Sequence, residues 1–96
     1  MTFEEAITLG EYKPDFLAQF PEWGKLTHHM QFEYIAKALA NRKRQLMQKW
    51  SEAVNFTNQS SIPDLQKQIA SNIFDQIEKL GEEKEKLYLE YSKFTD

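Results

Sequence analysis

Two stretches of this 96-residue chain decide its fold: residues 28–56, HHMQFEYIAKALANRKRQLMQKWSEAVNF, and residues 63–94, PDLQKQIASNIFDQIEKLGEEKEKLYLEYSKF. Neither contains a proline beyond its first position, and apolar residues recur in both at intervals of three and four. That period is typical of an amphipathic α-helix. Because the loop predicted around residues 58–61 is short, the two helices are expected to form an antiparallel hairpin.

The apolar residues of each predicted helix share one side of it. At 100° per residue they occupy an arc of about 120° on the first helix and about 140° on the second. Lys43 and Lys84 fall inside these arcs. Either their stems pack while their ammonium groups reach water, or they form a polar layer that fixes the register of the helices. The sequence leaves both interpretations open.

The loop position also predicts which residues of the hairpin lie at the same height. A loop centred near residue 59 places Leu39 opposite Leu80. In this register two ion pairs are expected between the helices, Lys37 with Glu82 and Arg44 with Asp75. Exposed pairs of this kind contribute only about 0–1 kcal/mol each, so they help to choose the register more than they stabilise the fold.

The first 26 residues predict several short helices. Thr2 and Glu5 form a capping box for a helix over residues 3–9, and Gly10 follows where a left-handed C-cap belongs. Pro14 and Pro21 each favour the start of another short turn, and Thr27 can cap the first long helix. Such turns are too short to be stable alone and must pack on the hairpin. We therefore expect one all-α domain over residues 1–96: a small helical bundle in which short helices (3–26) pack on a coiled-coil-like hairpin (28–56 and 63–94).

Composition excludes several classes of protein. Lys and Arg number 12 against 15 Asp and Glu, the net charge is −3, and there is no Cys. A disulfide scaffold and a thiolate metal site are thereby excluded. No apolar run reaches the roughly 18–20 residues of a membrane span, and the N-terminus lacks the basic start of a signal peptide. We expect a cytoplasmic protein with no membrane association and no small-molecule substrate.

No motif for catalysis or cofactor binding is present. His29 and Glu33 are four residues apart on one helix and could share a metal ion. A zinc site, however, normally takes at least three protein ligands, and spacing indicates no third ligand. The three isolated glycines cannot form a phosphate-binding loop. We therefore expect neither an enzyme nor a bound metal or cofactor.

A basic segment on the first long helix suggests one possible binding surface. Four side chains spaced by four, three and four residues are expected to form an outward ridge, Lys37, Asn41, Arg44 and Gln48. Such a ridge could follow a phosphate backbone, with the amides of Asn41 and Gln48 reaching bases or ribose. The acidic net charge argues against this interpretation. A small nucleic-acid-associated regulator is therefore the alternative function.

The apolar residues indicate a protein interface more directly. The hairpin seam and the short helices can cover only part of the large apolar side chains, and uncovered apolar patches mark interaction sites. The residues expected at this interface are Tyr34, Phe74, Tyr88 and Leu89. The predicted function is a non-catalytic protein–protein interaction or assembly module that binds a protein partner or forms a homodimer. A monomeric three-layer bundle remains open beside the homodimer.

Overall fold

The fold is an all-α bundle in the order expected from the sequence. The computed structural model describes the backbone of residues 1–57 and 63–94 and the side chains of residues 1–53 and 67–94. The described residues form five helices: α1 (Phe3–Leu9), α2 (Pro14–Leu17), α3 (Pro21–Gly24), α4 (His28–Thr57) and α5 (Pro63–Tyr91). The described part contains no strand. The predicted loop at residues 58–61 lies outside the described residues.

Local side-chain chemistry accounts for the helix ends. The Thr2 hydroxyl oxygen accepts a hydrogen bond from the Glu5 amide at 3.1 Å, and Gly10 ends α1 with a φ of 88°. Thr27 caps α4 by accepting from the amide of Met30 at 3.1 Å. These are the caps that the sequence predicts. Both ends of α1 and the start of α4 are thus fixed by local contacts.

The last helix ends three residues earlier than predicted. Instead of continuing to Phe94, α5 ends at Tyr91, and the Ser92 hydroxyl donates to the Leu89 carbonyl oxygen at 2.8 Å. The chain then turns, so that the Phe94 ring stacks on the imidazole of His28 at 3.7 Å between ring centroids. The helical pattern does not predict this contact, because His28 begins α4 whereas Phe94 follows the end of α5.

The hairpin register agrees with the prediction. Leu39 and Leu80 line the same groove between α4 and α5, and the Phe32 ring lies 5.7 Å from the Tyr88 ring. The whole molecule is elongated, with extents of 54 × 28 × 15 Å. Within the described residues no charged or polar side chain is buried. Lys43 and Lys84 are both exposed, which supports packed stems with solvated ammonium groups over a polar layer.

The N-terminal helices pack on one face of the hairpin and form the core with it. Among the described residues, Leu17 and Ile35 are the largest side chains with no exposed surface, and Ala6 of α1 and Ala38 of α4 belong to the same buried cluster. The N-terminal segment, α4 and α5 all contribute side chains to this core, which contains Phe3, Ala6, Ile7, Tyr12, Leu17, Trp23, Ile35, Ala38, Leu39 and Leu80. Burial of large side chains contributes roughly 1.5–3 kcal/mol each, so the short helices are fixed by this packing.

Candidate interaction surface

The face of the hairpin under the N-terminal helices is here called the covered face, and the opposite one the open face. On the covered face, polar side chains of α4 donate to main-chain carbonyl groups. Asn41 Nδ2 reaches the Ile7 oxygen at 3.0 Å, and Arg42 Nε reaches the Gly10 oxygen at 2.9 Å. Carbonyl groups at the end of a helix lack partners within it. The side chains of α4 therefore satisfy the C-terminal end of α1.

Tyr12 contacts both long helices on the covered face. Its hydroxyl donates to the Glu83 carboxylate on α5, and the Arg42 guanidinium of α4 lies 5.9 Å from the centre of its ring. Arg42 also contacts the Glu11 carboxylate at 3.6 Å. This segment therefore bridges α4 and α5 and covers part of this face.

The structure corrects the predicted basic ridge. Because α1 packs beside it, Asn41 is half-buried and its amide is bound to Ile7, so it does not project into solvent. Lys37, Arg44 and Gln48 are exposed. These three lie on the edge of α4 that faces away from α5, as follows from a rotation of 100° per residue. The exposed part of the predicted ridge is therefore Lys37, Arg44 and Gln48, without Asn41.

The predicted interface residues lie in two different environments. Tyr34 packs its ring against Phe3 at 5.1 Å between centroids and borders the core, so it lies on the covered face. Phe74, Tyr88 and Leu89 are exposed by 48%, 59% and 64%. The difference arises because the N-terminal helices cover the side of α4 that carries Tyr34.

The open face carries two connected grooves between α4 and α5. The larger encloses about 530 Å³ and is lined by Phe32, Ala36, Lys84, Glu85, Tyr88 and Leu89. The second encloses about 260 Å³ and is lined by Leu39, Ala40, Lys43, Ile77, Leu80, Gly81 and Lys84. Lys84 belongs to both, so the grooves adjoin each other along the hairpin.

The apolar surface of the open face continues towards the far end of the hairpin. At 100° per residue, Met47 and Trp50 extend the α4 side of the grooves, and Phe74 extends the α5 side. Met47 is exposed by 49% and Trp50 by 37%. Both residues belong to the apolar arc of the first long helix. A periodic pattern shows which side of a helix is apolar, but not how much of that side its neighbours cover.

An aromatic cluster closes the other end of the open face. Tyr91 lies 6.1 Å from Phe32 and 6.3 Å from His28 between ring centroids. Burial raises the pKa of the Tyr91 phenol above its usual value, and the nearby Glu90 carboxylate raises it further. The phenol is therefore neutral at physiological pH. These rings pack on one another and fix the ends of α4 and α5.

The histidine–glutamate pair does not extend to a metal centre in the described residues. His29 Nε2 lies 3.1 Å from Glu33 Oε1, and no group of three His, Asp or Glu in the described ranges is placed to hold a metal ion. Among these residues, no helix is long and apolar enough to cross a membrane.

Comparison with known proteins returned no match to this chain among family models, curated proteins or solved structures.

Proposed function

We propose that this protein is a non-catalytic interaction or assembly module that binds another protein through its open face. The observation that carries the proposal is the set of large exposed apolar side chains on the side that the N-terminal helices leave uncovered. Phe74, Tyr88 and Leu89 are each about half exposed or more there. Exposed apolar patches of this kind mark interaction sites, and interface cores are enriched in aromatic residues and Met.

The shape of this surface suits a helical partner. Grooves between two antiparallel helices accept the apolar side of a third helix, whose side chains recur every three to four residues. The larger groove has apolar walls from Phe32, Ala36, Tyr88 and Leu89, with charged groups only at Lys84 and Glu85. Such a lining provides affinity by burying apolar area and leaves charges at the rim for specificity.

A catalytic role has less support. Acid–base catalysis by carboxylates needs apolar surroundings that separate their pKa values. The described charged side chains are all at least partly exposed. The alternative of a nucleic-acid regulator is also weakened, because Asn41 is engaged with α1 and cannot read bases. In this proposal the protein acts in the cytoplasm, because a chain without Cys forms no disulfide and needs no oxidising compartment.

Site-specific photo-crosslinking in intact cells tests the proposal. A photoreactive phenylalanine analogue replaces Tyr88 or Phe74 on the open face, and Asp15, which is exposed on the opposite side of the molecule, serves as the control position. We expect a discrete protein adduct from both open-face positions and none from Asp15. Absence of any adduct from Tyr88 and Phe74, with the protein folded and expressed, would overturn the proposal.

A further inference from the structure

The two outer edges of the open face carry opposite charges. On α4, a rotation of 100° per residue places Lys37 and Arg44 on the edge away from α5. On α5, the same rotation places Glu78, Glu82 and Glu85 on the edge away from α4. All five side chains are exposed. The α4 edge also carries Glu33, which is paired with His29. The apolar grooves thus lie between a basic edge and an acidic edge.

These charges match in height but do not meet within the chain. Because Leu39 and Leu80 line one groove, Lys37 lies level with Glu82, and Arg44 lies between the levels of Asp75 and Glu78. The ion pairs expected from the sequence, Lys37 with Glu82 and Arg44 with Asp75, are nevertheless not formed in the described structure. The reason is geometric, since the two edges point away from each other across the width of the hairpin.

We infer that the occupant of the open face is a second copy of this chain, related by a two-fold axis parallel to the long helices. This rests on the proposed function of the open face. Such an axis places α4 of each copy on α5 of the other without changing the height of any residue. Lys37 then meets Glu82 of the second copy, and Arg44 meets its Glu78. The result is a four-helix core with the N-terminal helices outside.

The alternative face-to-face arrangement is disfavoured by the same charges. A two-fold axis perpendicular to the helices would place α4 on α4 and α5 on α5. The basic edge would then face its own copy, and so would Glu78, Glu82 and Glu85. Like charges opposed across an interface suppress a pairing. The parallel axis also keeps the half-exposed Met47, Trp50 and Phe74 of both copies at the same end, where they can cover one another.

Reversing the charges of one edge at a time tests the arrangement. One variant carries Lys37→Glu and Arg44→Glu, the other carries Glu78→Lys and Glu82→Lys, and mass is measured by light scattering. We expect the wild type to be a dimer and each variant alone to dissociate, with a dissociation constant higher by about tenfold or more. An equimolar mixture should form a heterodimer, because every reversed edge then meets its complement. Lys13→Glu with Lys25→Glu gives the same change in net charge as the first variant, on exposed residues of the N-terminal segment, and should remain dimeric.

Each result decides between definite outcomes. A monomeric wild type at about 100 μM, well above typical specific dissociation constants, would overturn the second copy as occupant. Dimers that persist in both variants, or variants that fail to pair on mixing while their circular dichroism shows them folded, would overturn the α4-on-α5 arrangement. The photo-crosslinks separate this from the proposed function: an adduct of twice the chain mass supports the second copy. An adduct of another mass, with a monomeric wild type, keeps the interaction surface and rejects self-association.

Discussion

The main chain of Gly10 lies directly against Arg42: a Cβ atom at residue 10 would be 2.8 Å from Arg42 Cβ and 3.0 Å from its Cα. The carbonyl oxygen of Gly10 also accepts the 2.9 Å hydrogen bond from Arg42 Nε. The same glycine has a φ of 88°. One residue therefore ends α1, reverses the chain and sets the distance between α1 and α4.

Replacing Gly10 with Ala should destabilise the fold strongly. The left-handed conformation costs a residue with a Cβ about 1–2 kcal/mol, and contact with the backbone of Arg42 adds to this. We expect the free energy of unfolding in urea to fall by about 2 kcal/mol or more. Gly81→Ala is the matched control, because nothing lies within 4 Å of a Cβ there. In mid-helix it should stabilise by about 0.5–1 kcal/mol. Equal effects at the two glycines would contradict this account.

Asn41→Ala should lower stability although the residue lies on a helix and on the predicted ridge. The substitution removes the 3.0 Å hydrogen bond to Ile7 and leaves a carbonyl oxygen at the end of α1 without that donor. We expect a loss of about 1 kcal/mol in urea denaturation. Gln48→Ala changes an exposed amide on the same edge and should stay within about 0.5 kcal/mol of wild type. If Asn41 acted only in partner binding, the two variants would be equally stable.

Substitution of two leucines should distinguish a core position from an open-face position by its effect on stability. Leu17 has no exposed surface, whereas Leu89 is exposed by 64%. Leu17→Ala should reduce the free energy of unfolding by about 2–5 kcal/mol, because it leaves a cavity between the short helices and the hairpin. Leu89→Ala should change it by less than about 0.5 kcal/mol in dilute solution. A small effect of Leu17→Ala would mean that α2 is not part of the cooperative fold.

Stability should fall at alkaline pH through Tyr91. Folding raises the pKa of this phenol above its ordinary value of 10.0, through burial and then the Glu90 charge. Ionisation is therefore easier in the unfolded chain. The contribution is fully present below the unfolded pKa and is lost as pH rises through the folded one. Tyr91→Phe cannot ionise and should show a shallower decline of the free energy of unfolding between about pH 9 and 11. An unchanged decline would contradict the assignment to Tyr91.

The sequence predicted local features and the hairpin well, because these depend on contacts between near neighbours or on a regular period. The Thr2 and Thr27 caps and the Gly10 turn follow from hydrogen bonding within a few residues. The open face was only partly predictable. Phe74, Tyr88 and Leu89 are exposed as expected, whereas Tyr34 is partly buried against Phe3 of α1. Its environment depends on which side of α4 receives α1.

The sequence by itself determined that this chain forms two long amphipathic helices with short capped helices before them, since periodicity and caps act over one or two turns. Only the tertiary structure decided which face of the hairpin those short helices occupy. That choice depends on long-range contacts, such as the Phe3 ring packed against Tyr34 and the Asn41 amide bound to Ile7, which no local pattern encodes. It also decided that Lys37 and Glu82, which the predicted register already places level, lie on opposite edges and form no ion pair, because the direction of a side chain around a helix has meaning only once its neighbours are in place.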